Sequence, residues 1–216
     1  MAKHKNKNNE LVTRNYNIEL RTAENEDNII EGVPIVFEKP TRIRDWSGEF
    51  DEIIDRHALD SADLRDVCLF VNHITDKIPL ARTKNGNGTM SLSIQDDGVH
   101  IRAVLDTENN TEAMSAYSAV KRGDIQGMSF TFRVKSQEWI NLDSDVPTRR
   151  IKEISIVHEV SIVNFPAYPQ TSVNARANGG ETPYSPLEEA REARAKEIAQ
   201  RDLDLLKEKN KILGVI

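Results

Sequence analysis

Apolar and polar residues alternate along much of this chain, and the period is that of strands. Tyr16, Ile18 and Leu20 alternate with polar neighbours and predict a strand over 15–23. Asn28 to Phe37 predicts a second, with Gly32 and Pro34 marking an edge or a bend. Residues 38–49, with Pro40, Arg42, Arg44 and Trp46-Ser47-Gly48, read as a loop. Phe50 to Asp66 reads as helix-prone, with Asp60 placed to cap a short helix over 61–65. Val67 to Asn72 is a compact apolar strand that ends at His73. Met90, Leu92 and Ile94, a turn at Gln95-Asp96-Asp97-Gly98, then Val99, Ile101, Ala103 and Leu105 make a hairpin. Asn110 to Arg122 suits a helix capped by Asn110 or Thr111 and stopped by Gly123.

Met128, Phe130, Phe132 and Val134 then alternate with Ser129, Thr131 and Arg133, so the strand turns the Ser129 hydroxyl away from its apolar face. Residues 135–149 read as a loop or hairpin excursion, and Ile151 to Val163 as a long strand broken by Phe165-Pro166-Ala167-Tyr168-Pro169. A stretch rich in Asn, Gly, Ala and Pro reads as a linker, and Pro186 to Ile212 as a charged helix. Its thin stripe of Leu187, Ala190, Ile198, Leu203, Leu206 and Ile212 suits docking on a partner or a coiled coil. The fold class is therefore mainly β with flanking helices, α+β, plus a C-terminal charged helix.

The chain's 216 residues suffice for one domain with extensions. Net charge is −6, with the positive charge gathered in the first residues, Lys3, Lys5, Lys7 and Arg14. An acidic body argues against a specific nucleic-acid surface. No apolar run predicts a membrane span, and the basic, polar start predicts no secretory signal. The single Cys68 excludes an internal disulfide and suits a reducing compartment, so the expected location is a cytoplasm.

A serine hydroxyl needs a base within reach, and the base needs an orienting partner. Of the five histidines, His4, His57 and His100 sit in charged or polar settings, whereas His73 closes an apolar strand at a loop. Glu159 stands in a strand of Ile, Val and Ser, on the face of Ser155, Val157, Ser161 and Val163. Burying a carboxylate there requires a partner, which a structural arginine would also supply. His158 faces the other way and is the alternative third member. No His-x-x-x-His or paired-cysteine spacing supports a metal, and Gly86-Asn87-Gly88 is a turn rather than a phosphate loop, so no cofactor is expected.

Asn72-His73, then Gly127-Met128-Ser129-Phe130-Thr131-Phe132, then Glu159-Val160-Ser161-Ile162-Val163 with Pro166-Ala167 resemble the prohead maturation proteases of tailed bacteriophages, relatives of the herpesvirus assemblins. Glu31-Gly32, Pro79-Leu80-Ala81-Arg82 and Lys121-Arg122-Gly123-Asp124-Ile125 agree with that likeness, which spans roughly residues 14–175. The resemblance implies an assemblin-like β-barrel and a serine endopeptidase with Ser129 as nucleophile, His73 as general base and Glu159 as third member. Assemblins place a second histidine in that last role, which keeps His158 open.

By composition residues 1–14 would be a disordered basic tip and 176–186 a linker; by the resemblance 15–175 would be the protease domain and 187–216 a helical tail removable by self-cleavage. Oxyanion donors would lie in the loop 164–168. The implied substrates are the major capsid protein, or a scaffold protein, and the chain itself, inside the immature prohead in the host cytoplasm. A homodimer is a further implied partner. Two readings compete: a catalytically silent assembly protein on the same fold, and a small-ester hydrolase. The missing Gly-x-Ser-x-Gly elbow speaks against the second.

Overall fold

The computed structural model describes residues 10–17, 20–24, 26–164 and 185–213, with all their side chains except those of Tyr16 and Asn17. In chain order the elements are β1 (Glu10–Asn17), β2 (Leu20–Thr22), β3 (Ile29–Val36), β4 (Thr41–Asp45), β5 (Gly48–Ile54), β6 (Cys68–Val71) and β7 (Ala81–Arg82). There follow β8 (Met90–Ile94), β9 (Gly98–Val104), α1 (Thr111–Arg122), β10 (Gly127–Ile140), β11 (Thr148–Val163) and α2 (Pro186–Ile212).

The antiparallel pair β10–β11 is the spine of a seven-stranded sheet. Because β11 is long, it takes two partners in succession on its other edge. Its first part, Thr148 to Ile151, pairs in parallel with β5; Glu159 to Ile162 pairs in parallel with β6. β1 borders β10, β4 borders β5 and β7 borders β6. The smaller antiparallel sheet runs β2-β3-β9-β8. Met128, Phe130, Phe132 and Val134 are fully buried, in one core with Ile30, Ile35, Val99, Ile101 and Ala103 of the small sheet and Ala113, Ala116 and Val120 of α1. Each such Phe stabilises the fold by roughly 2–3 kcal/mol through burial alone. Asn110 caps α1 by accepting from the Glu112 and Ala113 N–H groups, and Gly123 ends it at φ 79°.

The α+β class stands, with two helices among the described residues. A closed barrel does not appear: pairing runs from β1 to β4 with no closing pair among those residues. Four local expectations need correction. The one strand read over 15–23 is two, β1 in the large sheet and β2 in the small one. Residues 41–54, read as loop and helix, form the β4–β5 hairpin, with Phe50, Glu52 and Ile54 buried on one face. Charged Glu49, Asp51 and Glu52 mimic a solvated helix face, but Glu52 is buried against arginines from distant strands. No helix forms at 61–65; Asp63 instead accepts from the Arg65 N–H and bridges to Ile156. The basic tip is shorter than 1–14, since Glu10–Arg14 belong to β1, where Val12 enters the core and Arg14 pairs with Glu52. The loop 165–168 and nearly all of the linker 176–186 lie outside the described residues.

Ser185 caps α2 and bonds Asp45 Oδ2 at 2.8 Å, and Leu187 is fully buried among Ile43, Phe50, Trp139 and Leu142. Arg191 and Arg194 reach Ser47 and Asp143. Beyond them Ile198, Leu203, Leu206 and Ile212 are exposed, so the predicted stripe docks through its first turn alone. Leu187→Ala is expected to cost about 2–5 kcal/mol of that docking. Hydrogen exchange should then accelerate over residues 186–195 while β10 and β11 stay protected; unchanged exchange in α2 would contradict the anchor.

Candidate active site

Parallel pairing of β6 with β11 sets Val71 against Ile162, and the chain then turns sharply back. Asn72 and His73 have φ of 51° and 60°, and the Ile74 N–H donates to the Val71 carbonyl at 3.2 Å. Two successive left-handed residues make a type I′ turn, which costs a non-glycine about 1–2 kcal/mol per residue, less for Asn. The surroundings hold it. Asn72 N–H donates to the Ile162 carbonyl at 2.9 Å, and Asn72 Oδ1 accepts from the Asn164 N–H at 3.2 Å. The His73 N–H donates to Ser161 Oγ at 3.1 Å. Strain of this kind concentrates where a side chain must be aimed.

The aimed group is the His73 imidazole. Its Nδ1 lies 2.7 Å from Glu159 Oε1. Oε1 also accepts from the Thr131 hydroxyl, and Oε2 accepts from Ser161 Oγ at 2.6 Å. Burial works against ionisation of this carboxyl, but the bonds from His73, Ser161 and Thr131 prevail and hold it below the ordinary carboxylate range. An ionised Glu159 accepts the proton on Nδ1, which leaves Nε2 as the basic nitrogen. Nε2 is buried and has no hydrogen-bond partner among the described residues.

Ser129 is in the row next to this pair. Across β10 it faces Asn15 of β1 on one side and Ser161 of β11 on the other. It is fully buried, and its hydroxyl donates to the Arg14 carbonyl at 2.9 Å. Thus the structure joins His73 to Glu159 directly and sets Ser129 beside Ser161, which touches both, but the Ser129 hydroxyl bonds β1 and not the imidazole. A nucleophilic Ser129 would have to give up the Arg14 carbonyl.

His158 is not part of the group. Register shifts between Thr131 and Phe132, so that Thr131 faces Glu159 and Phe132 faces Val157, and His158 is the extra residue of a bulge. The expected sharing of a face by Glu159 and Val157 is therefore overturned: Val157 joins the core and Glu159 stays with Ser161. His158 Nε2 accepts from Arg133 Nε at 3.1 Å, and burial together with the Arg133 charge pushes its pKa below the usual histidine value. His57 and His100 pair with exposed Asp60 and Asp97. Cys68 stands beside Glu159 across β6–β11, and burial pushes its thiol up, so it is a poor nucleophile.

Thr131, Ser161 and Asn72 escaped the reading from sequence as site residues. A signal existed for two of them: Thr131 follows Ser129, and Ser161 follows Glu159, at the i+2 spacing that keeps strand residues on one face. A base oriented by a buried carboxylate beside a strand serine is the working set of nucleophilic hydrolysis. No curated protein and no solved structure matches this chain. The family model described as caudovirus prohead serine protease matches residues 16–184, a span that holds His73, Ser129 and Glu159 and the strands that carry them, and the chain belongs to that family.

Proposed function

We propose that this chain is the serine endopeptidase of prohead maturation, with Ser129 as nucleophile, His73 as general base and Glu159 as the group that orients it. The observation that supports the assignment is the 2.7 Å bond between His73 Nδ1 and Glu159 Oε1, which leaves Nε2 buried and without a hydrogen-bond partner among the described residues. Ser129 Oγ attacks the scissile carbonyl while its proton passes to His73 Nε2. The imidazolium returns that proton to the leaving amine, and water, deprotonated by the same nitrogen, hydrolyses the acyl-enzyme. The substrates are the scaffold protein, or the scaffold-like segment of the coat protein, and the chain itself, within the immature prohead in the host cytoplasm. The tail that begins at α2 fits a segment that recruits the protease and is then cut away.

One observation favours the silent-assembly alternative. Ser129 is fully buried and its hydroxyl is engaged by Arg14, so the described arrangement is not poised for attack. Co-expression with the capsid protein separates the two. Intact mass should reveal shortened coat protein and shortened protease with the wild type, and Ser129→Ala should lower the rate at least about 1,000-fold. Equal processing by both would remove Ser129 as nucleophile. Assembly without processing in either would establish the silent role.

A further inference from the structure

We infer that Ser161 is the positioning residue of this site, one hydroxyl that sets both the place of His73 and the orientation of Glu159. The inference rests on the assignment of His73 as base. Ser161 is fully buried on β11, two residues after Glu159 and on its face. Its Oγ receives the His73 main-chain N–H at 3.1 Å and gives its own proton to Glu159 Oε2 at 2.6 Å. A hydroxyl has one proton to donate, and the N–H cannot accept it, so the direction of both bonds is settled.

Two consequences follow from this double role. The His73 main chain is held in its left-handed turn at the nitrogen next to its own Cα. The carboxylate is pinned at both oxygens, Oε2 by Ser161 and Oε1 by Thr131, whose hydroxyl in turn bonds that of Thr13 at 3.0 Å. With Oε2 occupied, Oε1 presents to Nδ1 in one orientation. Removal of the Ser161 hydroxyl loosens the carboxylate at Oε2 and takes the acceptor from the partly buried His73 N–H. Imidazole and carboxylate then lose register together, and misplacement by about 1 Å costs on the order of 100-fold in rate.

The test uses the full chain and two readouts. A fluorophosphonate probe, which forms a bond from Ser129 Oγ to phosphorus with loss of fluoride, reports activation of the serine. The downfield Hδ1 proton signal of His73, recorded on the Ser129→Ala chain to avoid self-cleavage, reports the bond to Glu159 without any turnover. Ser161→Ala, folded as judged by melting, should be labelled about 10- to 100-fold more slowly and should lose or broaden that signal. Ser161→Cys, which keeps the shape and a weaker donor, should fall between; it decides the matter if the alanine variant does not fold. Labelling within about twofold of wild type with the Hδ1 signal intact would overturn the inference. A signal lost in Ser161→Ala while the wild type itself resists the probe would uphold the positioning role and sink the protease assignment.

Discussion

Glu159→Gln should reduce kcat/KM for the proposed capsid-derived substrate by about 1,000- to 10,000-fold, with most of the loss in kcat. The substitution keeps the volume and removes the charge. The two oxygens of Glu159 now accept from three donors, His73 Nδ1, Thr131 and Ser161. A glutamine amide offers one acceptor oxygen and an NH2 group, so either Nδ1–H faces another donor or the Ser161 hydroxyl must turn and accept from the NH2. If the NH2 faces Nδ1, the imidazole takes the opposite tautomer, with its proton on Nε2, and the base toward Ser129 is lost. Glu159 is buried behind His73, Thr131 and Ser161, so KM should hold within a few-fold. Rates measured across pH on both chains, with melting curves as a control for folding, provide the check. A loss below about 10-fold would show that Glu159 is structural and that His73 needs no orienting carboxylate.

The second large effect belongs to stability. Glu52→Gln should cost about 3–5 kcal/mol, on the order of 10 °C in Tm for a chain of this size. Glu52 is fully buried and accepts from Arg14 Nε at 2.5 Å, Arg14 Nη2 at 2.9 Å and Arg149 Nη1 at 3.1 Å. Arg149 also reaches Glu10 Oε2 at 2.6 Å and Gln137 Oε1 at 2.6 Å. Two arginines meet two glutamates, so the group is neutral, and it ties β1, β5, β10 and β11 together. Removal of the Glu52 charge leaves two arginines and one carboxylate, that of Glu10, in the group. The damage extends to the candidate site, because the Arg14 that Glu52 holds is the residue whose carbonyl receives the Ser129 hydroxyl.

Burial raises the Glu52 pKa, but the Arg14 and Arg149 charges outweigh it and the carboxyl lies below its ordinary range. The folded value is thus below the unfolded one, about 4.3. Ionised Glu52 adds stability that is complete above the unfolded value and is lost as pH falls through the folded one. Denaturant curves on the wild type and Glu52→Gln should therefore lie far apart at pH 7 and converge as the pH falls below about 4. Curves that coincide at pH 7 would mean that the ion group contributes nothing.

Much of this was legible in the chain, and particular residues show why. Asn110 and Gly123 bracket α1 as read, and Pro186 begins α2 as read, because capping is decided by one or two residues and their own backbone. The β8–β9 hairpin and the apolar face of β10 are equally local, since strand alternation needs only neighbours two positions apart. His73, Ser129 and Glu159 stood out by residue type and setting. What stayed hidden depends on partners far along the chain. Glu52 looks like a solvated charge until Arg14 and Arg149 are brought to it. The bulge at His158 flips the faces upstream of Glu159, and alternation read without its partner strand carries no mark of that extra residue.

The amino-acid sequence by itself determined the elements with strong period or caps, the mainly β class and the three polar residues around which the chemistry is proposed. Only the tertiary structure decided that β1 lies along β10 and engages the Ser129 hydroxyl, that Glu159 rather than His158 meets His73, and that Ser161 and Thr131 hold the carboxylate. The physical reason is range. Period and capping are written in contacts a few residues long, whereas register, bulges and the pairing of buried charges are settled by free-energy differences between strands tens of residues apart, which no local window contains.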